Sequence, residues 1–199
     1  MNLALVPAAG RSSRLGRPKA LLPIAGRPLI DRLLGTLRQG GIDESIVVVA
    51  LGEDRLLAHC RARGVAVAVN TQVRQGMLSS VLCGLNRAGD RLAGARSLTI
   101  CPVDFPWLEA ETVAALLAAL ADSPYPIVVP RYGDRQGHPL VLAPAVSRDI
   151  ERLDLGIGLR GLLALHPVET VDVDDPGVLR DLDTWRDHDR LRKATRSRD

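Results

Sequence analysis

Short runs of apolar, often β-branched residues alternate with longer stretches in which apolar residues recur every three or four positions. The short runs predict strands over residues 3–6, 45–50, 65–69, 97–101, 127–130, 140–142 and 170–173. Those near the middle are almost continuously apolar, the pattern of strands covered on both faces. The longer stretches predict helices over residues 28–39, 54–63, 78–88, 109–121, 144–152, 159–165 and 184–193. Pro28 suits a first helical turn, and Gly40-Gly41 suits a stop. Strand and helix in alternation imply an α/β fold with a mostly parallel sheet and right-handed crossovers. No linker, repeat or low-complexity segment interrupts the 199 residues, so one domain over 1–199 is the simplest account. In such folds ligands bind beyond the carboxyl ends of strands, which directs attention to the loops that follow them.

Composition narrows the function. Apolar residues make up 46% and charged residues 25%, an ordinary globular balance. Aromatics are only 3%, so the core is built from Leu, Val, Ala and Ile, and no aromatic series exists to stack nucleic-acid bases. With no continuous basic face either, a nucleic-acid partner is excluded. The net charge of +3 favours anionic partners without naming one, and much of it lies in residues 186–199, which read as a solvated helix end. Cys60, Cys83 and Cys101 are far apart and odd in number, which argues against a disulfide framework or a zinc site. No leader-like N-terminus and no 18-residue apolar stretch is present, so a cytoplasmic protein without a membrane partner is expected.

The first strand runs into Pro7-Ala8-Ala9-Gly10-Arg11-Ser12-Ser13-Arg14-Leu15-Gly16-Arg17-Pro18-Lys19. Gly10 and Gly16 let backbone approach a ligand closely, and free N–H groups in such a loop form an anion-binding hollow. Three arginines and Lys19 add positive charge, so the loop suits a polyphosphate. It fits neither the GxxxxGK(S/T) nor the GxGxxG pattern. Without a ligand it is a basic surface loop.

Four later segments carry candidate chemistry. Asn70, Gly76, Ser79 and Ser80 bracket a turn from strand into helix, where the serines serve as caps or touch a ligand. Asp104 sits between Pro102 and Pro106 at a strand end, as a turn former or as a carboxylate for Mg²⁺ carried by a nucleotide. His138, before Pro139, is a loop hydrogen-bonder or an acid–base group; Arg160 is a surface arginine or a phosphate contact.

Ala8-Ala9-Gly10, Ser12, Arg14, Gly16, Pro18 and Lys19, with the Leu21-Leu22-Pro23 and Gly26-Arg27-Pro28 that follow, closely resemble the signature of the MobA-like nucleotidyltransferases. The Ala-Ala-Gly opening is most similar to the molybdenum-cofactor cytidylyltransferases of that family. The resemblance implies a Rossmann-like three-layer α/β/α fold of the nucleotide-diphospho-sugar transferase type. It implies nucleotide binding by Ala8, Ala9, Gly10, Arg11, Ser12, Ser13 and Gly16, with Arg14 and Lys19 neutralising the triphosphate. Asn70, Gly76, Ser79 and Ser80 match the family stretch that contacts base and ribose, with Leu78 where cytidylyltransferases commonly carry Ser. Asp104 matches the metal-binding aspartate and is counted with Arg14 and Lys19 as catalytic. Asp183, or Asp181 beside it, matches the second metal ligand, with Trp185 replacing a proline. His138 and Arg160 match acceptor-side segments.

The implied activity is Mg²⁺-dependent transfer of an NMP from an NTP, CTP first, to a phosphorylated acceptor, a molybdopterin cofactor first, with release of pyrophosphate. A molybdoenzyme or cofactor-insertion chaperone is the implied protein partner. GTP as donor, a sugar phosphate or another phosphorylated metabolite as acceptor, and a non-catalytic nucleotide sensor or cofactor-insertion partner are the alternatives.

Overall fold

The structure, a computed structural model, describes residues 1–10 and 19–182. The order of elements is β1 (Asn2–Pro7), β2 (Pro23–Ile24), β3 (Arg27–Pro28), α1 (Leu29–Gln39), β4 (Glu44–Ala50), α2 (Asp54–Ala62), β5 (Ala66–Asn70), α3 (Met77–Ala88), β6 (Ser97–Ile100), α4 (Ala110–Asp122), β7 (Ile127–Tyr132), β8 (Arg135–Gln136), β9 (Leu140–Leu142), α5 (Ser147–Ile150), α6 (Arg160–Leu165) and β10 (Val168–Asp172). The expected helix over 184–193 lies outside the described residues.

The main sheet has the order β10-β7-β9-β6-β1-β4-β5, with β8 folded back on β7. Pairs β1–β4, β1–β6, β4–β5 and β7–β10 are parallel, as expected of strands joined through helices. Strand β9 runs antiparallel to both neighbours, β6 and β7.

Alternation along each central strand divides the core. Leu3 and Leu5 of β1, Ile46 and Val48 of β4, and Leu98 and Ile100 of β6 point to a layer containing α3, α5 and α6. Ala4 and Val6, with Val47 and Val49, point the other way, to α1, α2 and α4. Three layers result. Cys60 and Cys101 are buried and Cys83 is half-buried; all three are free thiols. Burial pushes the Cys60 thiol up to about 11, which keeps it protonated and inert. No helix among the described residues is long and apolar enough to cross a membrane.

Several elements differ from the sequence pattern. The 144–152 stretch forms a 3₁₀ turn, Pro144–Val146, followed by the single-turn α5. Its buried anchors are Val146, Ser147 and Ile150, too few apolar positions to hold a longer amphipathic helix on the sheet. Strand β7 continues past Pro130 to Tyr132 and turns back through β8. Strand β10 begins two residues before the expected run.

Candidate active site

Strand β1 lies between β4 and β6, and the chain changes sides of β1 in passing from β5 to β6. This is a topological switch point, where loops diverge at the carboxyl ends and leave a crevice. A cavity of about 270 Å³ opens there. Its walls come from three loops: Pro7 to Gly10 after β1, Val73 to Ser80 after β5, and Pro102 to Asp104 after β6.

The first wall is anchored at its root. Ala8 donates its N–H to the Val48 carbonyl (2.8 Å), and Val103 donates to the Pro7 carbonyl (3.0 Å). Ala9 is buried and Gly10 is exposed at the edge of the cavity. Arg11, Ser12, Ser13, Arg14 and Gly16 lie outside the described residues. Lys19 begins a 3₁₀ turn, Lys19–Leu21, and its side chain returns to the cavity. Its Nζ stands 3.5 Å from Asp104 Oδ2, with the side chains only 15% and 25% exposed. A cation from the β1 loop and an anion from the β6 loop thus meet across the crevice.

The second wall is tied by a buried amide. Asn70, at the end of β5, is 3% exposed. Its Nδ2 donates to Ser79 Oγ (2.9 Å) and Ser80 Oγ (3.1 Å), and its Oδ1 accepts from the Gln72 N–H (2.7 Å). The Ser79 hydroxyl donates toward the Gly76 and Gln72 carbonyls. Asn70 and Ser79 therefore spend their polar atoms inside the loop, behind the cavity wall, while Gly76 and Ser80 line the cavity itself. Gly76 has φ +85° and ψ −170°, a conformation that favours glycine, and it is the residue before α3. No side chain caps α3, whose first residue, Met77, also lines the cavity, so partial positive charge of the helix end is directed at it.

The third wall brings the distal half to the site. Phe105, next to Asp104, stacks on the His138 imidazole with centroids 4.7 Å apart and ring planes at 21°. His138 donates its backbone N–H to the Val178 carbonyl (2.9 Å). Burial lowers the His138 pKa from its ordinary value, against an opposing pull from Asp181. Leu182, the last residue described before Asp183, donates its N–H to the Asp104 carbonyl (2.8 Å). Asp181 is exposed beside it, and Asp183 lies outside the described residues. Arg160 is exposed at the first position of α6 and is not among the cavity's lining residues.

Two supports were not legible in the sequence. Arg32 of α1 donates from Nε to the Pro106 carbonyl (2.8 Å), holding the Asp104 loop from outside. Asp175, buried, takes hydrogen bonds from both that loop and its own turn. Its setting, Asp174-Asp175-Pro176-Gly177, carries ordinary turn residues, so no local signal separates it from a surface turn.

The donor set can be tested against a divalent cation. Among the described residues there is no group of three or more His, Cys, Asp or Glu that could hold a metal. Of the described residues, Asp104 alone presents a carboxylate to the cavity. That suits Mg²⁺ or Mn²⁺ arriving with a polyphosphate, since such ions take one or two carboxylates and fill the remaining positions with phosphate oxygens and water.

A doubly covered, mostly parallel sheet with Lys19 and Asp104 meeting at its switch point has the architecture of the nucleotidyltransferases of the nucleotide-diphospho-sugar transferase fold. Residues 4–171 match the MobA-like NTP transferase domain, and the chain belongs to that family. It is 32% identical over 190 residues to the nicotine blue oxidoreductase of Paenarthrobacter nicotinovorans, an alignment covering 89% of each chain. It is 38% identical over 114 residues to a molybdenum cofactor guanylyltransferase of Xanthomonas euvesicatoria, covering 57% of this chain and 52% of that one. Among solved structures it resembles Rv0371c of Mycobacterium tuberculosis, at 29% identity and a TM-score of 0.81 over 97% of this chain and 98% of that one. A complex of Rv0371c with manganese superposes with a TM-score of 0.77, at 28% identity over 96% and 98% of the two chains.

Proposed function

We propose that the chain transfers a nucleoside monophosphate from an NTP to a phosphorylated acceptor, with CTP and a molybdopterin cofactor as the leading pair. The observation that carries the reading is the Lys19–Asp104 pair at 3.5 Å, at the switch-point cavity. An acceptor phosphate oxygen forms a bond to the α-phosphorus, the bond from that phosphorus to the β-bridging oxygen breaks, and its electron pair leaves with pyrophosphate. The acceptor phosphate is ionised at neutral pH, so alignment and charge stabilisation carry the catalysis.

Lys19 donates to triphosphate oxygens and stabilises the charge that builds on the leaving group. Ala8, Ala9 and Gly10 present backbone to the nucleotide, and Arg11, Ser12, Ser13, Arg14 and Gly16 continue that wrap. Ser80 and the N-terminal turn of α3 face base and ribose, while Asn70 and Ser79 hold that wall rigid. His138, neutral at pH 7 and stacked on Phe105, borders the acceptor side. Arg160 meets the acceptor's phosphate. Asp104, with Asp183 or Asp181, would hold Mg²⁺, which when bound supplies charge neutralisation at the phosphate oxygens. The manganese complex of Rv0371c supports a divalent ion in this fold. A molybdoenzyme or insertion chaperone in the cytoplasm would receive the product.

The test is pyrophosphate release with each of the four NTPs, Mg²⁺ and a molybdopterin acceptor. CTP-selective turnover that falls by at least roughly a hundredfold in Asp104→Ala supports the reading. GTP preference moves the assignment toward the guanylyltransferase relative, and absence of turnover with every NTP sinks it. The identity with nicotine blue oxidoreductase favours a second reading, a redox enzyme that uses the same cleft. Reduction of nicotine blue, with a reduced nicotinamide dinucleotide supplied as electron donor and no pyrophosphate released, would establish that alternative.

A further inference from the structure

Asp175 is 2% exposed, and no other Asp or Glu among the described residues is buried to that degree. A carboxylate so placed requires dedicated partners. Its Oδ2 accepts from the Glu109 N–H (3.0 Å) and from Thr112 Oγ1 (2.9 Å), and its Oδ1 accepts from the Gly177 N–H (2.7 Å). The first two donors belong to the start of α4, whose own preceding residue, Glu109, makes no side-chain cap. The cap comes instead from 66 residues downstream. A negative charge at a helix N-terminus is favourable, which explains how the charge survives burial. It does not explain why the cap is non-local.

The neighbouring contacts do. Helix α4 is the continuation of the Asp104 loop, and Gly177 begins the run to Leu182. Gly177 lies so close to that loop that a Cβ there would fall 2.3 Å from the Trp107 carbonyl oxygen. Val178 receives the His138 N–H, and Leu182 donates to Asp104 itself. Asp175 is thus the charged clasp of a seam between two segments, one bearing Asp104 and the other leading to Asp181 and Asp183.

We propose that Asp175 is a positioning residue: by clasping the start of α4 to the run that ends at Leu182, it fixes where the Asp104 loop stands and so sets the grip of Asp104 on a divalent cation. This rests on the nucleotidyl-transfer reading above, in which Asp104 meets the metal. Asp175→Asn separates its two roles. With its amide oxygen toward Glu109 and Thr112 the variant keeps the cap of α4, while its amide NH₂ meets the Gly177 N–H donor to donor. Thr112→Val does the reverse, trimming the cap and sparing the seam.

The experiment is Mn²⁺ titration by electron paramagnetic resonance, on the full chain with a non-hydrolysable CTP analogue, alongside urea unfolding. Asp175→Asn is expected to weaken Mn²⁺ binding roughly tenfold, the size of effect seen when a group orienting a metal ligand is lost. Thr112→Val is expected to lose stability without losing Mn²⁺ affinity. Wild-type affinity in a folded Asp175→Asn, or equal weakening in both variants, makes Asp175 a helix cap only and overturns the proposal. Should Asp175→Asn not fold, Gly177→Ala, which wedges the same seam without changing a charge, carries the identical expectation and the identical refutation. If the wild-type chain binds no Mn²⁺ with non-hydrolysable analogues of any of the four NTPs, the nucleotidyl-transfer reading falls and takes this inference with it; wild-type binding with an unweakened, folded Asp175→Asn sinks this inference alone.

Discussion

Replacing Asn70 by alanine removes three hydrogen bonds from the wall between β5 and α3. Each contributes about 1 kcal/mol net, giving a ceiling of about 3 kcal/mol. Two of the abandoned partners recover part of that loss. Ser80 lines the cavity and Gln72 is exposed, so water reaches both, whereas Ser79 keeps its bonds to main-chain carbonyls. The expected cost is therefore about 2 kcal/mol, well within the stability of a domain this size. In urea this moves the midpoint down by about 1 M at an unchanged slope, read by far-ultraviolet circular dichroism. Nucleotide binding, read by calorimetry, weakens roughly fivefold, because ligand must now order a loop that Asn70 had ordered in advance. Asn70→Asp keeps the acceptor for Gln72 and loses the two donors, so it falls between wild type and Asn70→Ala. An unchanged midpoint in Asn70→Ala refutes the knot. Unchanged stability with abolished nucleotide binding refutes it differently, by making Asn70 a direct ligand contact.

His138 and Thr99 give two further expectations. Burial holds the His138 pKa below its ordinary 6.5, so the unfolded chain takes up that proton first; stability therefore falls as pH drops through 6.5 to the folded pKa and is flat outside that window. His138→Gln flattens this stretch in unfolding measured across pH, and Asp181→Asn, by removing the charge that raises the folded pKa, lengthens it; a pH profile unmoved by either variant refutes the assignment. Thr99 is buried and its hydroxyl has no hydrogen-bond partner among the described residues. Thr99→Val keeps the shape and removes that penalty, so the melting temperature should rise by about 2–4 °C for about 1 kcal/mol, and a fall would mean that the hydroxyl has a partner after all.

The layers were legible because strands covered on both faces carry apolar residues at every position, as in Leu3-Ala4-Leu5-Val6, and helices do not. The direction of β9 was not, since Leu140-Val141-Leu142 reads alike both ways and only the connections decide. The length of β7 was hidden by Pro130, which sits opposite Val171 in the ladder and gives its carbonyl to Gly137. In the site, Lys19 was legible as one of the cations of the loop after β1 and Asp104 as a carboxylate at the end of an apolar strand, and the structure brings the two together. Asn70 was legible only as a polar residue at a strand end. Whether such an amide faces ligand or protein depends on the turn it closes, and here Ser79, Ser80 and Gln72 claim it. Asp175 left no trace because its partners, Glu109 and Thr112, belong to a segment distant in sequence.

Strand β9 has a further consequence. In a wholly parallel sheet only segments leaving strands reach the ligand rim, and segments approaching strands stay on the far side. Reversing one strand sends the approach to β9, Gly137-His138-Pro139, to the same rim as the departure from β6. The rim is thereby shared by two half-sheets, β5-β4-β1-β6 and β9-β7-β10, joined within the sheet by three residue pairs, Leu98–Leu142, Thr99–Val141 and Ile100–Leu140. The core does not stop at that join: one apolar cluster holds Leu5 and Ile100 together with Leu140 and Ile127, so a change on one side is felt on the other. The two half-sheets therefore form one packing unit, and the loops that meet at the rim are held in place from both sides.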